Sequence, residues 1–298
     1  MTAPGEHHDR ATARRLLHGF RAALGTRRGL TTVARDALTV FGVVGGTLQV
    51  YNILAPHATY PPIVMAALLG LLPLAFGLIH AWPRRTLTRR LRHPDVTITV
   101  TVGDVLDQDT HVVIGYTDTF DTNVTDHRII HPTSLQAQFQ CRYYPDTGIL
   151  DRALARTLEQ VPSRPTPTKY LGKTQRYPIG TIAVLPAGNH LAFCLAYATM
   201  DDELLAKATV DDIWSSLTAL WDAVHRHAHR EPVSIAVIGS QLAKVDALDR
   251  GSLIRLIMLS FVARTRTQAV TRHLTVVVHP KDIGMIDMPE LAALLSTV

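Results

Sequence analysis

Two long apolar runs near the N-terminus dominate the hydrophobic pattern of the chain. Residues 37–55 and 61–82 contain no Asp, Glu, Lys or Arg, and each is close to the ~20 residues that a helix needs to cross a bilayer. The connector, residues 56–60, carries no basic residue, whereas arginines flank the pair on both outer sides. The positive-inside rule therefore predicts a transmembrane hairpin with both ends in the cytoplasm. A helical hairpin buried in a soluble protein is the alternative.

Two basic segments border this hairpin. Residues 1–36 contain apolar residues at helical spacing among arginines, which is typical either of a helix on an anionic membrane surface or of a solvated tail. Residues 83–95 contain a run of arginines, which we interpret as a basic linker. The rest of the chain, residues 96–298, is predicted to form one domain.

Strand patterns and helix patterns alternate through this domain. Runs rich in β-branched and apolar residues predict strands at 96–102, 111–116, 181–185, 191–199, 233–238 and 273–278. Helical periodicity predicts helices at 134–143, 149–158, 210–229 and 253–263. Asp211 or Asp212 is the predicted cap of the third helix. The alternation predicts an α/β domain with a mixed sheet and helices on both faces.

Charge and cysteine content narrow the class of partner and compartment. The chain has 298 residues and a formal net charge of +5. Its arginines cluster beside the hairpin, so the charge indicates an anionic membrane surface and no nucleic acid. Cys141 and Cys194 are too few for a disulfide framework and fit a reducing compartment.

We find no pattern that predicts a catalytic residue, a metal or a cofactor. Ser240 follows a strand but lacks the G-x-S-x-G context of a nucleophile, and no Walker or Rossmann glycine pattern occurs. His225 and His229 would share a helix face, yet they stand at a predicted helix end, where cations suit the dipole. The aspartates of residues 117–126 lack the spacing of an EF-hand.

Two strand-to-loop junctions are the candidates for ligand contact. Residues 101–105 lead from one strand toward the next, and residues 235–241 lead from a later strand toward a helix. In open α/β sheets, ligands bind beyond the carboxyl ends of strands, where loops and helix N-termini present backbone N–H groups.

These junctions together resemble a macro domain, and the chain resembles the membrane-tethered macro proteins of Thoeris antiphage systems. Residues 102–133 carry most of the resemblance, and residues 177–181 and 196–198 add to it. The resemblance implies binding of ADP-ribose or a derivative. By that likeness Asp104 accepts from the adenine amino group, and Val105 offers its backbone N–H near the base.

The resemblance also assigns the rest of the site. It places Gly115, Asp118, Thr119, Asp121 and Thr122 beside the distal ribose. It places the diphosphate in a loop formed by Gly239, Ser240, Gln241 and Leu242. Hydrolytic members of the family carry an asparagine-rich strand end and a glycine run, which residues 114–121 lack. This difference favours a sensor over an enzyme.

In the Thoeris family such sensors respond to a nucleotide made from NAD by a partner TIR-domain enzyme. Binding makes the membrane part assemble and damage the bilayer. The resemblance therefore implies a homo-oligomeric effector at the bacterial inner membrane, with its soluble domain in the cytoplasm. Two alternatives stay open: a tethered ADP-ribosyl or nucleotide hydrolase with Asp118 or Asp121 as general base, and a tethered interaction module with no nucleotide role.

Overall fold

The computed structural model describes most of the chain in two compact units, Met1–Arg84 and Arg85–Val298. The described residues are 27–54, 61, 64–65, 67–80, 86–125, 127–166, 168–238 and 248–297. The helices are α1 Arg27–Leu54, α2 Leu72–His80, α3 Leu135–Tyr143, α4 Thr147–Leu158, α5 Val210–His227, α6 Arg250–Thr267 and α7 Met288–Thr297. The strands are β1 Thr86–Arg92, β2 Asp95–Val102, β3 His111–Thr117, β4 Arg164–Pro165, β5 Gln175–Arg176, β6 Ile182–Ala187, β7 His190–Met200, β8 Ala206–Lys207, β9 Val233–Ala236 and β10 His273–Val278.

The N-terminal unit contains α1, a π-helical turn at Ala67–Leu71, and α2, which contacts α1. Pro73 lies in the first turn of α2 and has no N–H with which to continue the helical hydrogen bonds of the preceding turn. Among the described residues, no helix combines the length and the apolar character needed to cross a bilayer. The predicted transmembrane hairpin of residues 37–55 and 61–82 is therefore not supported. Residues 1–26 and the connector 56–60 lie outside the described residues.

A mixed sheet forms the centre of the second unit. Its strand order is β1-β2-β10-β9-β3-β7-β6, with β8 beside β7. The five strands from β2 to β7 along this order run parallel, while β1 and β6 are antiparallel to their neighbours. The mixed α/β sheet predicted from the alternating pattern is confirmed.

Helices cover both faces of this sheet, and each face has its own apolar core. On one face α5, α6 and α7 pack against the strands, and the buried Trp221 indole donates a hydrogen bond to Ser260 Oγ at 2.9 Å between α5 and α6. On the other face α3 and α4 pack against β3, β6 and β7. Parallel strands require such covering crossovers, which explains why most strand residues are apolar.

The segment predicted as a basic linker, residues 83–95, is mostly β-structure. Residues 86–92 form β1, an edge strand that pairs with β2 through a short turn. Leu87 and Leu91 point into the core, whereas the arginines lie at exposed positions. Charged side chains are a common protection of edge strands against unwanted pairing. Because of these arginines, the sequence analysis interpreted the segment as a linker and not as a strand.

Helix α5 is capped two residues earlier than predicted. Thr209 Oγ1 accepts from the Asp212 backbone N–H at 3.1 Å, and Asp212 accepts from the Thr209 backbone N–H at 2.9 Å. This reciprocal capping box replaces the predicted cap at Asp211 or Asp212. The strands predicted at 181–185 and 191–199 are found as β6 and β7. They form a hairpin, and Gly188 at its turn lies in the left-handed region (φ 64°).

A buried histidine fixes the hairpin to the start of the parallel strands. His111 is 8% exposed, and its Nδ1 accepts from the Leu191 backbone N–H at 3.0 Å. Burial lowers the pKa of His111, the neighbouring His190 and His229 lower it further, and the Ala228 carbonyl and Glu231 oppose them. The native state thus holds this imidazole neutral.

We expect the second unit to lose stability in mild acid through His111. Because its native pKa lies below the unfolded value of about 6.5, the stabilisation is present above that value and is lost as the pH falls through the native pKa. The asparagine variant His111→Asn keeps an acceptor for Leu191 and cannot be protonated. Its unfolding midpoint in urea, followed by tryptophan fluorescence, should depend less on pH between about 7 and 5 than that of the unchanged chain. Equal pH slopes would contradict the assignment.

Candidate functional site

The carboxyl ends of the five parallel strands meet at one edge of the sheet, which we call the carboxyl edge. The strand ends are Val102, Thr117, Met200, Ala236 and Val278. The Gly103 backbone N–H donates to the Val278 carbonyl at 3.0 Å, so the loop after β2 lies directly beside the end of β10. Loops from widely separated parts of the sequence therefore converge here, as they do at ligand sites of open α/β sheets.

Asp104 begins the loop after β2 and is exposed. Its Oδ1 accepts from the Leu106 backbone N–H at 2.9 Å, and its carbonyl accepts from Gln108 Nε2 at 3.1 Å. Val105 and Leu106 are buried and hold the turn against the core. The carboxylate thus shapes a fixed turn and still faces solvent, while the predicted contacts of Asp104 and Val105 with a base stay predictions.

Gly115 lies inside β3, opposite Leu195, and not in the loop that follows. A Cβ atom at this position would come within 2.5 Å of Tyr197 Cε1, so the glycine makes room for the Tyr197 ring on the neighbouring strand. This packing gives a structural reason for the glycine. Its predicted place beside a distal ribose stays a prediction.

The loop after β3 is buried and charged. Asp118 is 2% exposed; its Oδ2 contacts Arg176 Nη1 at 2.7 Å, and its Oδ1 accepts from the Met200 backbone N–H at 2.9 Å. Burial raises the pKa of Asp118, and the Met200 N–H and Arg176 oppose that rise. Arg176 also donates to the Met200 carbonyl at 2.7 Å, so one ion pair joins three chain segments.

A second ion pair in this loop is almost completely buried. Lys169 Nζ lies 2.5 Å from Asp121 Oδ2, with side-chain exposures of 0% and 2%. Lys169 also donates to Thr119 Oγ1 at 3.3 Å and to the Lys173 carbonyl at 2.9 Å. The Lys173 backbone N–H donates to Asp121 Oδ1 at 2.6 Å. Both oxygens of this carboxylate thus accept hydrogen bonds from groups of the chain.

Thr122 completes the attachment of the loop. Its hydroxyl donates to Asp151 Oδ1 at 2.6 Å, and Lys173 Nζ contacts the same carboxylate at 2.6 Å. Burial raises the pKa of Asp151, but the hydrogen bonds from Lys173 and Thr122 outweigh it, so the pKa is lowered. Asp118, Thr119 and Asp121 therefore bind the segment 168–176, and Thr122 binds Asp151. The place beside a distal ribose that the resemblance assigns to these four residues stays a prediction.

The predicted diphosphate loop lies outside the described residues. The loop consists of Gly239, Ser240, Gln241 and Leu242. It follows β9 and two further described residues, Val237 and Ile238, which lie at the carboxyl edge. Within the described part of the chain, no group of three or more His, Cys, Asp or Glu side chains could hold a metal ion. His225, which lies at the end of α5, contacts the Ala269 carbonyl.

The sequence matches the family model of the Thoeris protein ThsA macro domain over residues 98–279. This is more than half of the 298 residues. The chain belongs to the ThsA macro-domain family.

The fold of the chain is also similar to that of a solved macrodomain. A mutant macrodomain of Oceanobacillus iheyensis superposes with a TM-score of 0.50 at 10% identity, covering 72% of this chain and 100% of that one. The same macrodomain solved with ADP gives 0.46 at 11% identity over 72% and 100%, and a mutant of tomato leucine aminopeptidase gives 0.39 at 12% over 70% and 37%. No curated protein sequence matches the chain.

Sequence reasoning missed the cations of this ThsA-type domain. Lys169 and Arg176 lie 48 and 58 positions from Asp121 and Asp118, and nothing local in the sequence pairs them. The one available signal was that several carboxylates directly follow a buried strand. Buried carboxylates require partners, but the sequence does not show that these partners lie in the segment 168–176.

The Lys169–Asp121 pair should contribute to stability in a way that a double-mutant cycle can measure. Removing one partner leaves a buried charge without compensation, so Lys169→Met should lower the free energy of unfolding by about 3 kcal/mol or more. The double variant Lys169→Met, Asp121→Asn should recover part of that loss. Lys207→Met removes a lysine from an exposed pair with Asp201 and should change stability little. Additive effects in the cycle would show that the pair is not coupled.

Proposed function

We propose that this ThsA-type macro domain binds an ADP-ribose-derived nucleotide at the carboxyl edge and acts as the sensor of a membrane-associated antiphage effector. The observation that carries the proposal is the convergence of five parallel strand ends in a domain of this family. Backbone N–H groups of the loops at such an edge favour anionic groups, and a nucleotide diphosphate is one.

The turn after β2 supports a preformed base site. Its shape is fixed by Asp104 on one side and by buried Val105 and Leu106 on the other. A ligand would therefore find the exposed carboxylate in place, at a small cost in conformational entropy. The carboxylate of Asp104 is an acceptor suited to an exocyclic amino group.

The loop after β3 argues for sensing over hydrolysis. A hydrolase needs a general base that can reach a positioned water. Asp118 and Asp121 are the carboxylates at the expected place, yet both are buried and held by Arg176 and Lys169. Each oxygen of the two carboxylates already accepts a hydrogen bond from the chain, which favours stabilisation of the loop over activation of water.

The connection to the N-terminal unit starts at the same edge. Strand β1 is antiparallel to β2, so its first residue, Thr86, pairs with Thr101 and their hydroxyls lie 2.9 Å apart. Gly103 and Asp104 follow within three residues. A nucleotide bound at this turn would lie close to Thr86, where the described part of the second unit begins.

We infer that the remaining partners follow from this role. A TIR-domain enzyme would supply the nucleotide from NAD, and the effector would assemble into a homo-oligomer that damages the bilayer. The apolar surface of α1 supports a bilayer partner: its exposed large side chains are Leu38, Phe41, Val43, Val50, Tyr51, Ile53 and Leu54. Many exposed apolar side chains on one helix favour an interaction with an apolar partner.

Nucleotide binding is the first test. Calorimetry on the full-length chain with ADP-ribose and with its cyclised and amino-acid derivatives should show binding by at least one of them. Asp104→Ser keeps a side-chain cap for the turn but removes the carboxylate, so it should weaken binding about ten-fold, or ~1.4 kcal/mol. Asp107→Ser changes the neighbouring exposed carboxylate, which contacts Arg142, and should leave affinity unchanged.

The same samples separate the alternatives. A nucleotide recovered unchanged by chromatography supports a sensor, whereas consumption supports the hydrolase. If no nucleotide of the panel binds, the interaction module without a nucleotide role is the better description.

Membrane association is tested independently by fractionating cells that produce the full-length chain. The unchanged protein should remain with the membrane pellet after a high-salt wash. Val43→Asp combined with Val50→Asp places two charges on the apolar surface of α1 and should move most of the protein to the supernatant. The control Ile149→Asp changes an exposed apolar residue of α4 and should stay in the pellet. Recovery of the unchanged protein in the supernatant would refute the bilayer partner.

A further inference from the structure

Strand β6 lies at an edge of the sheet, and its hydrogen bonds to β7 determine which of its backbone groups face outward. The Ala196 backbone N–H donates to the Thr181 carbonyl at 2.9 Å, and the register pairs Ile182 with Leu195. Because hydrogen-bonded and non-hydrogen-bonded pairs alternate in an antiparallel ladder, the N–H and C=O groups of Ile182 and Val184 point away from β7. Among the described residues, no hydrogen bond reaches these groups. We call this stretch of backbone the free edge.

The chain protects the end of β6 but not the free edge. Pro186 has the same outward orientation, has no N–H, and its carbonyl accepts from the Tyr144 hydroxyl at 2.8 Å. A proline of this kind and the arginines of β1 are common protections of edge strands. Ile182 and Val184 are apolar and half-buried and have neither protection. The free edge is therefore able to pair with a further short strand.

An open groove of about 240 Å³ lies between the free edge and helix α5. Its apolar lining consists of Ile182 and Val184 from the strand and Ala219 and Ala223 from the helix. A Cβ atom at Gly180 would lie 3.4 Å from Ala219 Cβ, so strand and helix come close together at this end of the groove. Addition of a strand beside such an edge is a recurring mode of peptide recognition, in which backbone hydrogen bonds provide affinity and pockets for alternate side chains provide specificity.

The spacing of the two alanines suits an extended peptide. Ala219 and Ala223 are four residues apart, which is about 6 Å along a helix. Alternate side chains of a strand are about 6.6 Å apart. Two apolar side chains at alternate positions of a peptide would therefore lie against the two alanines.

The end of the groove beyond Ala223 is basic. Arg226 and His227 lie there, one helical turn further along α5, and both are exposed. Opposite charge across a contact provides specificity, so the next alternate residue of a bound peptide should be acidic. Residues 1–26 of the chain are rich in arginine, and their charge does not match this end of the groove.

Asp222 also lines the groove, but it is paired within the chain. Its Oδ1 accepts from Arg264 Nε at 2.7 Å and from Gln268 Nε2 at 2.9 Å. The Arg264 guanidinium offsets the charge of this carboxylate. Arg226 therefore leaves the end of the groove with a positive charge.

We propose that the groove binds an extended peptide of another protein as a further strand beside β6. The peptide has apolar residues at two alternate positions and an acidic residue two positions beyond them. Its backbone pairs with the outward groups of Ile182 and Val184, its apolar side chains lie against α5, and its carboxylate contacts Arg226. This interaction does not depend on the proposed nucleotide site.

Selection of peptides on the purified full-length chain tests the proposal, with a displayed library of random seven-residue peptides as the probe. The selected peptides should share the alternating apolar pattern with Asp or Glu at one end. Val184→Pro removes an outward N–H in the way that Pro186 does and keeps the hydrogen bonds to β7, so it should no longer retain these peptides. Val184→Thr keeps the N–H and the branched shape and should retain them. Peptides that Val184→Pro retains equally well, or no selected peptide, would overturn the proposal.

A charge exchange provides a second measurement that does not alter the strand. Arg226→Glu should weaken the binding of a selected acidic peptide by up to about five-fold, measured by fluorescence anisotropy. It should favour the same peptide with its acid replaced by lysine. Arg156→Glu, a matched change on the exposed side of α4, should bind like the unchanged chain. An unchanged preference for the acidic peptide in Arg226→Glu would contradict the proposed contact.

Sedimentation of the same proteins identifies a competing occupant. A dimer of the unchanged chain that Val184→Pro dissociates, with no peptide selected, would place a second copy at the free edge and refute the peptide partner.

Discussion

Parallel pairing of five strands is the constraint on which the rest of this domain depends. A parallel pair cannot be closed by a tight turn, so each strand must be followed by a crossover that returns to the opposite end of the sheet. Each of the five parallel strands therefore ends at the carboxyl edge. The candidate site is the direct result, because loops that are distant in sequence must meet at that edge.

The loop after β3 shows how one such convergence is stabilised. Two carboxylates, Asp118 and Asp121, leave the sheet into a buried region, where each would be strongly destabilising alone. Arg176 and Lys169 arrive from a segment that has only a two-residue strand pairing of its own. The ion pairs therefore add to a few backbone contacts, such as the hydrogen bond from the Tyr177 N–H to the Asp118 carbonyl at 2.8 Å, in holding the two segments together.

The same bonds limit the chemistry that this loop can perform. A general base must change protonation during a reaction, and its proton must exchange with a substrate or water. Asp121 instead receives hydrogen bonds from Thr119, Lys169 and the Lys173 backbone. These hydrogen bonds hold the Asp121 carboxylate in one position and make the edge rigid. A rigid edge suits a binding site better than a hydrolytic one.

The sequence contained enough information for the sheet but not for its charged interior. Strands such as β10, predicted at 273–278 and found there, are apolar on both faces and cannot be confused with loops. β1 was missed because its five residues other than Leu87 and Leu91 are Thr or Arg at exposed positions. Arg89 stands between the two leucines on their side of the strand, so the alternation of apolar and polar residues was incomplete. The transmembrane hairpin of residues 37–55 and 61–82 was predicted from hydropathy alone. The second run contains a π-helical turn, Ala67–Leu71, before α2, and Pro73 explains this interruption because it cannot donate a backbone hydrogen bond to the preceding turn.

The site residues show the same difference between roles that the sequence predicts and roles that depend on the tertiary fold. Asp104 could be placed from its position after a strand, since a turn there needs a cap and an aspartate supplies one. The roles of Asp118 and Asp121 could not, because their partners are set by the tertiary fold, and a run of aspartates reads as a solvated loop until a buried lysine is known to face it. A sequence pattern records which groups leave a strand, whereas only the packing determines whether they reach solvent or another charge.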